Sequence, residues 1–178
     1  MIEYKIVSKD SEKILNLSDL SRNLKVDSEI FSIENDKEIL LGFISHKTLV
    51  YLSSEFAYFA YQNYAKNQDL RVENCINLTK NWIKDQSSLS KEELSAAAVE
   101  ADAAATNDDT AAAYTANAAY SAAAAANADD AAAYAANAAY SAYAAADAAY
   151  SKQEEFIRQG EFILDYLKSG LYLFHLGK

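Results

Sequence analysis

With 178 residues, no proline and four glycines, the chain has the length of one domain and too little turn chemistry for a β-sandwich or barrel. Its net charge of −10 and pI near 4.6 argue against a basic nucleic-acid binder. The single cysteine, Cys75, excludes an internal disulfide framework or a cysteine metal cluster, and no run of about 18 apolar residues marks a membrane span.

The opening MIEYKIVSKDSEK lacks the apolar core of a signal peptide, so a cytoplasmic protein is expected. Residues 1–7 alternate enough for a short strand, while residues 11–24 read as a helix through Ile14, Leu15 and Leu17. The rest of residues 1–40 is poorly defined. Residues 47–86 carry apolar helices: Leu49, Leu52, Phe56, Phe59 and Ala60 recur at helical spacing over 47–64, and Val72, Cys75, Leu78 and Ile83 do so over 71–84. Ser90-Lys91-Glu92-Glu93 is a capping box that opens a helix at about 91–105, and Ser151-Lys152-Gln153-Glu154 is a second, before the C-terminal helix and tail of 151–178. The expected fold is all-α: a single helical domain over 1–178, a multi-helix bundle of antiparallel helices with that short N-terminal strand.

Residues 91–150 hold alanine-rich repeat helices. Of the 55 residues from 96 to 150, 32 are alanine and six are tyrosine. Asp108-Asp109-Thr110-Ala-Ala-Ala-Tyr114 recurs as Asp129-Asp130-Ala-Ala-Ala-Tyr134, a period of about 20 residues that suits helical hairpin units. Alanine is the best helix former, and aspartate pairs cap free N–H groups at helix starts. Two helices are therefore expected, roughly 109–127 and 130–150, joined as a hairpin. The second carries a seam of alanine alone: 131, 135, 138, 142, 145 and 149. The first has Ala111, Thr115, Ala118, Ala122 and Ala125 in the matching places. Small seams allow close helix approach. Almost opposite the second seam lie Tyr140, Tyr143, Asp147 and Tyr150, and Tyr120 with Asn127 is a sparser counterpart on the first helix.

Residues 92–151 contain nine acids and no Lys or Arg; the remaining 17 acids and 16 bases nearly cancel. The plain reading is that the aspartates cap helices and solubilise an alanine-rich surface. The functional reading is an acidic docking surface for a basic partner, steered by its field. Its residues would be Asp108, Asp109, Tyr120, Asp129, Asp130, Tyr140, Tyr143, Asp147 and Tyr150. DNA mimicry is a sharper version, but these acids gather at helix ends instead of tracking phosphate spacing. The tyrosines also have a plain reading, as filler against flanking helices.

The catalytic inventory is poor. His46 and His175 have no carboxylate or cysteine at ligand spacing, and Cys75 among Val72, Ile76 and Leu78 reads as a small core residue. No phosphate loop, dinucleotide glycine pattern, HExxH or GxSxG is present. No catalytic residue, metal or cofactor is expected, and the protein is expected not to be an enzyme.

The run Arg71-Val-Glu-Asn-Cys75-Ile-Asn-Leu-Thr-Lys-Asn-Trp82-Ile83, then SKEELSAAAVEADAAA, the Ala/Tyr/Asn/Asp repeats and SKQEEFIRQGEFILDYL resembles the alanine-rich immunity proteins of bacteria and phages. The resemblance covers about residues 47–168. It departs in having no arginine in the repeats before Arg158, and it assigns no functional residues. It implies a non-enzymatic protein that neutralises a basic toxin or effector by stoichiometric binding, with no direct contact to nucleic acid or membrane. The alternative is a phage-type inhibitor of a host nucleic-acid defence system that uses the same acidic surface. Ice binding fits poorly, because Thr106, Thr110 and Thr115 lack an 11-residue spacing.

Overall fold

The computed structural model describes residues 2–65, 68–87, 89–105, 110–127, 131–148 and 152–171. Lys9-Asp10 reverses the chain between β1 (Glu3–Ser8) and β2 (Ser11–Leu15), where the Ser8 and Ser11 hydroxyls meet at 2.7 Å. A second hairpin joins β3 (Ser28–Glu34) to β4 (Lys37–Ile44). Its turn residues, Asn35 and Asp36, have φ of 51° and 59°. Both central residues of a type I′ turn need that left-handed conformation, and Asn and Asp are the side chains that tolerate it best. All pairings are antiparallel and the strand order is β2-β1-β3-β4.

This sheet corrects the all-α expectation: the protein is mostly helical with a four-stranded antiparallel sheet at its N-terminal end. The strand expected at residues 1–7 is β1. The helix expected over 11–24 is instead β2, a 3-10 turn at Leu17–Asp19 and the one-turn α1 (Leu20–Asn23). The tight turn forces the reversal, after which Leu15 pairs opposite Tyr4 on the inner face and Ile14 opposite Lys5 on the outer one. Two adjacent apolar residues thus serve two faces, which a helix reading would have put on one.

The long helices fall where helical spacing placed them: α2 (His46–Asn63), α3 (Leu70–Lys84), α4 (Lys91–Ala104), α5 (Thr110–Asn127), α6 (Ala131–Ala148) and α7 (Lys152–Lys168). Ser45 caps α2 by accepting from the Thr48 amide, and Asp69 caps α3 through the Arg71 amide. The box before α4 is complete: Ser90 Oγ accepts from the Glu93 amide at 3.1 Å and Glu93 accepts from the Ser90 amide at 2.9 Å. The proposed caps Asp108, Asp109, Asp129, Asp130 and Ser151 lie outside the described residues.

Helices α5 and α6 are three residues apart in sequence and pack on each other as an antiparallel hairpin. Their seams are shut from solvent: Ala118, Ala122 and Ala125 on one, Ala138, Ala142 and Ala145 on the other, all fully buried. Thr115 joins its seam by donating its hydroxyl to the Ala111 carbonyl at 2.8 Å. Ala149 lies outside the described residues.

Helix α2 is buried on two sides. Val50, Ala57 and Tyr61 enter a core with α3, α4 and α5, whereas Leu49, Leu52, Phe56 and Ala60 enter one with the sheet, α6 and α7. At the second core α7 crosses the 3-10 turn so closely that a Cβ on Gly160 would sit 2.3 Å from the Leu17 carbonyl oxygen. Glycine is the residue that permits this backbone approach.

Candidate interaction surface

The sequence-predicted site splits when its members are placed in the fold. Tyr140 and Tyr143 share the side of α6 that meets α7, with ring centroids 6.0 Å apart. Tyr143 stacks on Phe156 of α7 at 4.1 Å with planes 10° apart, and the Arg22 guanidinium lies 4.3 Å above the Phe156 ring. The plain reading therefore accounts for Tyr143, which is half-buried packing between helices. Tyr140 is different. It rests 6.1 Å from Phe156 and is 57 % exposed, so it presents an aromatic body to solvent on a fixed base.

Tyr120 lies elsewhere, half-buried on the α4 side of the hairpin. With Tyr134, Ser95, Val99 and Asn127 it lines a groove of about 290 Å³. Asn127 there donates to the Lys91 carbonyl at 3.2 Å, tying the end of α5 to the start of α4. Asp147 is exposed and borders a shallow depression of about 350 Å³ with Thr110, Tyr114 and Ala144. Tyr114 is itself exposed, a partner that the sequence reading named only as part of the repeat. The structure thus brings Tyr140 and Tyr143 together and keeps Tyr120 apart from them. Asp108, Asp109, Asp129, Asp130 and Tyr150 lie outside the described residues.

The sequence reading missed a cleft of about 660 Å³ between α2 and α7, lined by Phe59, Asn63, Tyr64, Glu154, Arg158 and Glu161 among others. At its wall the buried Glu155 carboxylate accepts two bonds from Arg158, at 2.7 and 2.9 Å, and one each from the Tyr64 hydroxyl (2.8 Å) and Gln159 Nε2 (2.9 Å). Arg158 also lies 3.5 Å over the Phe59 ring. Burial, then the bond to Glu155, holds the Tyr64 phenol protonated well above its ordinary range. With each carboxylate oxygen engaged, this cluster fastens α7 to the end of α2. The spacing Glu155, Arg158, Gln159 on one helix face was visible in sequence, but Tyr64 lies 91 residues away from it.

Cys75 and His46 are absorbed by packing. Burial pushes the Cys75 thiol up to about 12, and its sulfur lies 3.5 Å from the Ala119 carbonyl oxygen. His46 Nε2 is 2.8 Å from the Ala125 carbonyl oxygen, and its ring meets the edge of Trp82 at 5.8 Å. Among the described residues no three His, Cys, Asp or Glu side chains are grouped to hold a metal ion, and no helix is long and apolar enough to cross a membrane. His175 lies outside the described residues. Comparison of the chain with protein-family models, with curated proteins and with solved structures returns no match.

Proposed function

We propose that the chain acts by stoichiometric binding to a more basic protein effector, in the manner of an immunity protein, through the acidic, tyrosine-bearing side of the α5–α6 hairpin. The observation that carries this reading is Tyr140: a large ring, 57 % exposed, held by the Tyr143–Phe156 stack in a 60-residue stretch (92–151) without one cationic side chain. Tyrosine suits an interface because its ring buries apolar area while its hydroxyl keeps a polar partner. Asp147 adds negative potential on the same helix, which favours encounter with a basic surface.

The test starts with the tagged chain purified with its effector at low ionic strength. The effector's affinity is then compared for the unmodified chain, Tyr140→Ala and Asp147→Lys. A central aromatic anchor should cost tenfold or more on truncation. The charge reversal should slow association and flatten its dependence on salt. Unchanged affinity in both folded variants refutes the hairpin surface, and turnover of the effector or a substrate by the pure chain refutes the binding mode itself.

A further inference from the structure

The outer face of the sheet carries an apolar row flanked by acids. Tyr4, Ile6, Ile30 and Ile44 point inward and are buried, so the residues that alternate with them point outward. In β4 a bulge at Leu41, between Gly42 opposite Ile30 and Leu40 opposite Phe31, shifts the alternation by one and puts Leu40 and Glu38 on the outer face with Phe43. Across the middle of that face the register aligns Ile14, Lys5, Phe31 and Leu40, one from each strand. Val7 and Phe43 stand on one side of this row in register with Glu12 and Glu29; Ile33 stands on the other between Glu3 and Glu38. None of the six apolar residues belongs to either buried core, and Ile14 and Leu40 at the two edges are 58 % and 55 % exposed.

The charges on this face decide what it fits. Among the described residues its one cation, Lys5, is already taken by Glu12 at 3.0 Å and Glu38 at 2.8 Å. Among the described residues no cation lies in ion-pair range of Glu3 or Glu29, which leaves the face with an excess of three negative charges from four glutamates and one lysine. A second copy of the chain would set glutamate against glutamate. Nucleic acid and anionic lipid are repelled for the same reason. Four strands at about 4.8 Å spacing make a face about 14 Å across, which matches the 10–12 Å diameter of one helix with its side chains. We infer that the outer sheet face is a docking surface for an amphipathic helix of a partner protein, with apolar residues over Phe31 and Leu40 and lysine or arginine over the flanking glutamates.

The inference is independent of the hairpin reading and uses a different probe: a synthetic helical peptide of about 18 residues, leucine on one face and lysine on the other, beside its leucine–glutamate counterpart. Titrated into the isotope-labelled full chain, the lysine peptide should shift the amide signals of Val7, Ile14, Phe31 and Leu40 and bind less tightly as salt rises. Leu40→Lys should weaken it at least tenfold, while Tyr140→Ala leaves it unchanged. If Leu40→Lys does not fold by circular dichroism, Ile14→Lys on the opposite edge strand takes its place. The inference is overturned by shifts confined to α5 and α6, by equal binding of the glutamate peptide, or by a Leu40→Lys or Ile14→Lys variant that binds as before. Concentration-dependent dimerisation abolished by the same variants, or binding to vesicles of anionic phospholipid, overturns it in favour of those occupants.

Discussion

Replacing Ala138 with leucine tests the hairpin seam by the sign of its effect. Ala138 is fully buried, its seam neighbours Ala135 and Ala142 are 2 % and 0 % exposed, and Ala118 and Ala122 on α5 are closed as well. Leucine adds three carbons there. Were space free, their burial would stabilise the protein by about 2 kcal/mol, at about 0.8 kcal/mol per carbon. In a shut seam the same carbons must push backbones apart, which costs about 1–3 kcal/mol. For a chain of this size that loss lowers Tm by about 2–12 °C, at about 2–4 °C per kcal/mol. Ala144→Leu is the control, because Ala144 is half-buried and opens on the depression beside Asp147. It should stay within about 0.5 kcal/mol of the parent. Thermal melts followed by circular dichroism, with urea midpoints at one temperature, read both. Equal melting temperatures for the two variants, or a rise for Ala138→Leu, would refute the close-packed seam.

Two further outcomes follow from the second core and from the buried phenols. In an open helix interior Gly160→Ala would gain up to about 1 kcal/mol from propensity; here the new Cβ falls 2.3 Å from the Leu17 carbonyl oxygen and 2.8 Å from Leu17 Cδ1, so a loss of about 1–3 kcal/mol is expected in a urea melt, and an unchanged or raised midpoint would sink the close approach. Burial raises the Tyr4, Tyr51, Tyr61, Tyr64 and Tyr166 phenols above their ordinary value of 10.0, Tyr166 to about 12. A raised value in the folded state gives stability that is complete below pH 10 and is lost as pH climbs through the folded values. Urea midpoints should therefore hold steady up to about pH 9 and fall beyond about pH 10 in step with phenolate absorbance; a midpoint that stays level through pH 12 contradicts the burial of these hydroxyls.

How much of this was legible depended on whether a signal was local. Helices α2 to α7 announce themselves because apolar spacing, Ser90 with Glu93, and alanine propensity all act within a turn or two. The β3–β4 hairpin does not, since its turn is Asn35-Asp36 with no glycine to mark it and the order β2-β1-β3-β4 makes β1 central, with β3 at its other edge. Ile14 and Leu15 satisfy a helix pattern and a strand pattern equally well until Lys9-Asp10 is known to be a hairpin turn. The candidate surface was half legible for the same reason. Spacing along α6 put Tyr140 and Tyr143 on one side, but the difference between them is set by Phe156 on α7, which no pattern within α6 contains. The Glu155 cluster hid in the same way, its fourth member, Tyr64, standing just past the end of α2.

The alanine seam also constrains what the hairpin can become. A buried alanine surrenders no rotamer freedom, so closing α5 on α6 is opposed by backbone ordering alone and needs little apolar area per residue to offset it. The same economy removes the slack by which ordinary cores absorb change, because a methyl group has no alternative conformer with which to make room for a larger neighbour. Drift at these positions is thus confined to alanine, glycine, serine and, as at Thr115, threonine, of which glycine loosens the helix and the hydroxyl residues hide a group that must bond back to the helix's own backbone, as Thr115 does to the Ala111 carbonyl. The low complexity of residues 96–150 is then a record of burial: where both helices of the hairpin are shut from solvent along their seams, little larger than a methyl group has room to stand.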